Sequence, residues 1–237
     1  MKTYISHPAN SRGVVDFGWL KSAHSFSFGH WHNPEKTRFG LLRVLNDDQV
    51  APGQGFGTHP HDNMEIVSIP LSGALEHRDS MGNTTVIRKG DVQIMSAGTG
   101  VQHSEYNHSK TEPVHFLQIW VFPEKRNITP RYDQKTFDPT LRQNQWQTVV
   151  SPEDGDAVAI NQQAWFSLGS FDAQTTVHYR PHREGQGVYL FVLEGEAQAD
   201  GQLLHRRDAL AITGNEPIEL TFNAKTEILA IEIPADH

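Results

Sequence analysis

The chain has no cysteine among its 237 residues. That excludes disulfides, zinc–thiolate sites and iron–sulfur clusters, which all need thiolates. It also fits a reducing compartment. Basic residues are few: 20 Lys and Arg against 28 Asp and Glu give a formal charge of −8. A nucleic-acid binder usually shows a basic face or stripe, so no nucleic-acid partner is expected. No apolar run approaches the roughly 20 residues a membrane helix needs, so no membrane partner is expected either. The opening Met1-Lys2-Thr3-Tyr4-Ile5-Ser6-His7-Pro8 lacks the apolar stretch of a secretory signal, and the expected location is the cytoplasm. Helical periodicity is weak everywhere; only residues 16–22 and 138–142 read as short helical turns.

What is present is a succession of short apolar runs between Gly, Pro, Asn and Asp. The hydrophobic share is 37%, but its arrangement in such runs can build a core, so disorder is not the reading. Residues 41–45, 65–71, 92–95, 114–122, 188–193, 209–213 and 228–233 read as strands. Asn46-Asp47-Asp48, Met81-Gly82-Asn83, Asp200-Gly201 and Gly214-Asn215 read as turns. The fold class is all-β, sandwich or barrel. A weak internal repeat supports two copies of one β-unit. Leu71-Ser72-Gly73 leads to Lys89-Gly90-Asp91, as Leu193-Glu194-Gly195 leads to Arg207-Asp208, and each copy is preceded by an x-Pro-His. The polar stretch 129–147 is the expected boundary.

Two segments carry the chemistry. Gly53-Gln54-Gly55-Phe56-Gly57-Thr58-His59-Pro60-His61 supplies His59 and His61, and Gly98-Thr99-Gly100-Val101-Gln102-His103-Ser104-Glu105 supplies His103 and Glu105. Each pair is spaced by two, which on a strand sets both side chains on one face, roughly 6.5–7 Å apart. Two such strands side by side can aim three imidazoles and one carboxylate at one point. Those donors suit Fe(II), Mn, Co, Ni, Cu or Zn, and ligand type alone does not select among them.

The pattern Gly53…His59-x-His61…Glu65…Gly73 resembles the first cupin motif, and Gly90…His103…Asn107 the second. The pairing of His-Pro-His with His-Ser-Glu is similar to the pirin family of bicupins. Trp19, His24-Ser25-Phe26-Ser27-Phe28, Arg43-Val44-Leu45-Asn46-Asp47-Asp48, residues 93–100 and Gln118-Ile119-Trp120 add to the likeness. The resemblance implies two double-stranded β-helix (jelly-roll) barrels. Residues 1–135 would form an N-terminal metal-binding cupin domain, and 136–237 a degenerate, metal-free one. It implies one mononuclear metal, Fe(II), on His59, His61, His103 and Glu105. Glu65 sits one position off the usual cupin ligand slot, so Glu105 is the expected fourth ligand; Glu65 would orient a ligand or be solvated.

It further implies a flavonol dioxygenase of the quercetin 2,3-dioxygenase kind. O₂ would open the heterocycle of a phenolic substrate to a depside with release of carbon monoxide, and Glu105 would be the catalytic base. The alternative is a non-enzymatic iron-dependent redox sensor that binds a protein partner; a metal-dependent isomerase or sugar-binding cupin is a third reading. Phe26, Phe28, Phe39 and Phe56 are read as core before pocket lining, and His24 and His115 as ordinary hydrogen-bonded histidines. Asn46 and Gln118 enter only through the resemblance, as groups that could orient a substrate. In the second half Arg180 stands where a first ligand His would fall, so His178, His182 and His205 are not expected to hold a metal.

Overall fold

The computed structural model describes residues 1–235. The first half runs β1 (Thr3–His7), β2 (Gly13–Asp16), β3 (Leu20–His24), β4 (Leu42–Val50), β5 (Gly55–His61), β6 (Glu65–Ser72), β7 (Ala74–Asp79), β8 (Thr84–Arg88), β9 (Asp91–Ser96), β10 (Val101–Asn107), β11 (Val114–Val121) and β12 (Arg131–Thr136). After a 3₁₀ turn at Pro139–Arg142 come β13 (Trp146–Ser151), β14 (Val158–Ala159), β15 (Trp165–Phe171), β16 (Thr175–Tyr179), β17 (Gln186–Glu194), β18 (Ala197–Ala199), β19 (Gln202–Leu204), β20 (Ala209–Thr213), β21 (Ile218–Phe222) and β22 (Thr226–Pro234). Among the described residues no helix is long and apolar enough to cross a membrane.

Each half is one seven-stranded and one four-stranded sheet. The first half has orders β12-β9-β6-β11-β4-β3-β2 and β5-β10-β7-β8; the second has β1-β20-β17-β22-β15-β13-β14 and β16-β21-β18-β19. The two orders correspond position for position, except that β13 and β14 run parallel where β3 and β2 run antiparallel, and the repeat is a pair of cupin barrels. Gly73 and Gly195 mark it: each has positive φ, and a Cβ on either would overlap the backbone of Pro113 or Lys225. One strand crosses over. β1 opens the chain yet pairs with β20, Thr3 opposite Thr213 through His7 opposite Ala209.

The large sheets stack face to face. Leu45, Val67, Ile69, Ile94 and Leu117 from one sheet pack with Phe166, Phe191, Leu229 and Ile231 from the other in a single buried cluster. Central strands such as β6 and β17 are therefore buried on both faces; β17 reads as a continuous apolar run from Val188 to Leu193, whereas β6 is interrupted by the buried Glu65 and Ser68. Strand β10 differs. Val101, His103, Glu105 and Asn107 point into the barrel, while Gln102 and Tyr106 face solvent.

Two local expectations are corrected. Residues 20–24 form β3, not a helical turn, because the segment pairs with β4 along Leu20–His24. Asn46-Asp47-Asp48 is not a turn but the middle of β4. Asn46 and Asp48 face the barrel interior and Asp47 faces the second half, so each polar side chain serves a face rather than a bend.

Candidate metal centre

Strands β5 and β10 run antiparallel with His103 directly opposite His59 and Val101 opposite His61. A bulge follows His103, so Glu105 faces Phe56 on β5. The rings of His59, His61 and His103 lie 4.4–4.9 Å apart between centroids. His61 Nε2 and His103 Nε2 face each other at 3.0 Å. His59 donates Nδ1–H to the Gly57 carbonyl at 2.7 Å, which leaves Nε2 with its lone pair. His103 and Glu105 are buried; His59 and His61 are half-buried on an edge strand.

Burial keeps two of the imidazoles neutral. Burial, then the neighbouring His59, pushes His61 down to about 4. Burial, then His59, His61 and His77, pushes His103 down to about 2. Burial raises the Glu105 carboxyl above its ordinary value.

The carboxylate is held on its far side. Glu105 Oε2 accepts from Gln118 Nε2 at 2.6 Å, and Oε1 lies 3.3 Å from the Ser68 hydroxyl, which is also 3.1 Å from Gln118 Oε1. These residues belong to a polar rung across the sheet. His24, Asn46, Gln118, Ser68, Gln93 and Gln134 are register partners in turn on β3, β4, β11, β6, β9 and β12. His24 Nδ1, Asn46 Oδ1 and, one level away, Asp48 Oδ1 are buried without a partner. Asp48 is pushed up to about 7, chiefly by burial.

Sequence reasoning missed His77. It lies opposite Glu105 on β7, fully buried, and its Nε2 meets Asp79 Oδ2 at 2.8 Å. Its ring stacks on Tyr132 at 4.6 Å. Two trios of donor atoms, each within 4.8 Å of one another, share His103: His59, His61, His103 and His77, His103, Glu105. The signal was the period of two in Leu75-Glu76-His77-Arg78-Asp79, which puts His77 and Asp79 on one face of what reads as a charged surface run.

Glu65 is corrected. It is fully buried rather than solvated, lies outside both trios, and accepts from Ser96 Oγ at 2.7 Å and Asn161 N–H at 3.1 Å. Of the four phenylalanines, Phe28 lies on the imidazole side of the site and Phe56 is the register partner of Glu105. Phe28 packs on Trp120, whose indole meets His61 edge-on at 5.0 Å. Phe26 and Phe39 pack on Tyr189 in the core between the halves, and Phe56 on Trp19. His24 is inside the barrel, whereas His115 turns away to Asp47.

The pirin family model matches residues 7–121, and the quercetinase C-terminal cupin domain model matches residues 148–233. The chain is 40% identical over 228 residues to the quercetin 2,3-dioxygenase of Escherichia coli K12, covering 95% of this chain and 96% of the relative. This chain belongs to the pirin family. Among solved structures it is similar to YhhW from Escherichia coli, with a TM-score of 0.94, 39% identity and 99% of each chain covered. It is also similar to bacterial pirin YhhW in complex with nickel(II), with a TM-score of 0.92, 38% identity and coverage of 98% of this chain and 99% of that one.

The pirin site in this chain fits a divalent metal on its own chemistry. The Nε2 atoms of His61 and His103 are set face to face in rings that burial keeps neutral. Neutral rings so placed either share one proton or hold one cation. In the second pirin half the equivalent strands are β16 and β21. There His178 faces Glu219 at 3.7 Å in the open, and His182 is committed to Glu232 and stacked on Trp165.

Proposed function

We propose that this pirin is a metal-dependent dioxygenase that cleaves flavonols such as quercetin to a depside and carbon monoxide in the cytoplasm. The observation that carries this reading is the convergence of His59, His61 and His103 beside a buried, desolvated Glu105. Residues 1–135 would be the metal-binding half and 136–237 the metal-free half. His59, His61, His103 and Glu105 would hold one metal, Fe(II) in this reading, with Mn, Co, Ni, Cu and Zn as alternatives. Bound there, the ion supplies Lewis acidity toward an enolic hydroxyl and redox chemistry toward O₂.

The chain's own residues would do the rest. Glu105 takes the proton of the flavonol 3-hydroxyl, as a carboxylate buried beside the metal residues and out of bulk water. Gln118 fixes Oε2, so Oε1, with only the longer Ser68 contact, is the atom that receives the proton. Trp120 and Phe28 offer an apolar wall beside His61 for a flat ring. The half-buried His59 and His61 leave the site reachable, which favours turnover over a sealed sensor.

The test is metal content and quercetin depletion measured together in Glu105→Gln and Glu105→Ala. The expected result is that Glu105→Gln keeps most of its metal and loses at least about 100-fold in turnover, within the range of general base catalysis. Equal activity of Glu105→Gln and the parent protein would remove the base role.

A further inference from the structure

Away from the metal residues, a cavity of about 790 Å³ opens at one end of the seam between the two large sheets. That volume is in the range of small-molecule sites. Its walls are apolar and come from both halves: Ile69, Val92 and Phe137 on one side, Leu168 and Leu193 on the other. The polar groups at its edge are unevenly committed. Asp91 already accepts from Arg88 N–H at 2.7 Å and from the Thr136 hydroxyl at 2.6 Å. Asp138 caps the 3₁₀ turn by accepting from Thr140 N–H and its hydroxyl. Glu227 pairs loosely with Lys89 at 3.9 Å.

Arg142 is different. Arg142 lines the cavity, and its Nε is buried with no hydrogen-bond partner. The nearest opposite charges are Glu227 and Asp138, neither bonded to it. A buried guanidinium N–H without an acceptor costs free energy, and a planar anion is the partner whose geometry matches its fork.

We propose that this cavity binds a small amphipathic carboxylate, with its apolar body between Ile69 and Leu168 and its carboxylate on Arg142. The occupant would not touch the metal residues. Ile69 and Val92 face the cavity, while their neighbours Ser68 and Gln93 face the barrel interior, so the two sites lie on opposite faces of β6 and β9.

The experiment uses the full chain and the fluorescent anion 8-anilinonaphthalene-1-sulfonate. Expected are saturable binding, displacement by 2-naphthoate but not by the uncharged 2-naphthalenemethanol, and an affinity at least about tenfold lower in Arg142→Gln. Leu168→Trp, which fills the cavity, should abolish binding, and His59→Ala should bind as the parent does. Arg142 is half-buried, so its variant keeps the test open if Leu168→Trp does not fold. Lack of saturable binding, or an affinity unchanged in Arg142→Gln, would overturn the proposal. Loss of binding in His59→Ala would place the probe at the metal site instead and overturn it equally.

Discussion

His59 and His77 are both imidazoles within one barrel, yet their surroundings set them apart. His59 spends Nδ1 on a backbone carbonyl and keeps Nε2 free beside two other imidazoles. His77 spends Nε2 on Asp79, which Asn83 and Met81 N–H pin from the other side. An imidazole so bonded donates to Asp79 and supports its neighbours. Replacing His59 by Ala should therefore lower metal affinity more than about 100-fold, beyond the 10–100-fold typical of an outer-shell partner. His77→Ala should fall inside that range. Metal content by elemental analysis across a chelator series measures both. The reverse order would make His77, His103 and Glu105 the binding trio. The convergence of His59, His61 and His103 was legible because a spacing of two on a strand survives any uncertainty in fold. His77 was not, because its strand carries acidic and basic neighbours that belong to the opposite face.

At the scale of the element, the site depends on how closely β5 lies against β10. Gly55 is opposite Tyr106, and a Cβ there would overlap the Glu105 carbonyl oxygen and Tyr106 Cα. Gly55→Ala should push the strand outward and separate His59 from His103. The expected cost is about 1–3 kcal/mol in stability, as for other overpacking changes, with at least a tenfold weaker metal site. Urea unfolding and a metal titration on the same variant would check it. Unchanged metal affinity would mean that the pairing register does not govern the ligands. The same scale shows why β4 was misread in part. Its first residues, 42–45, are apolar and read as strand, but Asn46-Asp47-Asp48 looks like a turn. Turn residues are recognised by composition, and composition cannot show that two of these side chains line a polar barrel interior while the third meets a cation from the other half.

For the whole molecule, Asp47 ties the halves together. It accepts from Arg12 at 3.1 Å and from His115, and lies 3.7 Å from Arg207 in the second half. Burial alone would raise its carboxyl; the His115 hydrogen bond and the charges of Arg207, His115 and Arg12 outweigh that and hold it at about 2. A carboxylate depressed from 3.8 to about 2 stabilises the fold above its unfolded pKa, and the contribution fades as pH falls from about 4 to about 2. Asp47→Asn should cost on the order of 2–3 kcal/mol at pH 7. The gap to the parent should narrow at pH 3, as read from urea midpoints at both values; a gap independent of pH would contradict this account. The two barrels were visible in the chain itself; how they meet was not. The repeat showed through its turn glycines and Pro-His pairs, which are local. The stacking of the two large sheets joins distant parts of the chain, the crossing of β1 to β20 pairs Thr3 with Thr213, and alternation within a strand does not name the surface it meets.

The most direct test of the central claim is a reconstitution. The protein is stripped of metal, loaded anaerobically with Fe(II), and given quercetin and O₂ while flavonol absorbance and carbon monoxide are recorded together. Loss of the flavonol with stoichiometric carbon monoxide is expected, absent from the stripped protein and from His59→Ala. Full metal occupancy without flavonol loss or carbon monoxide would contradict the claim.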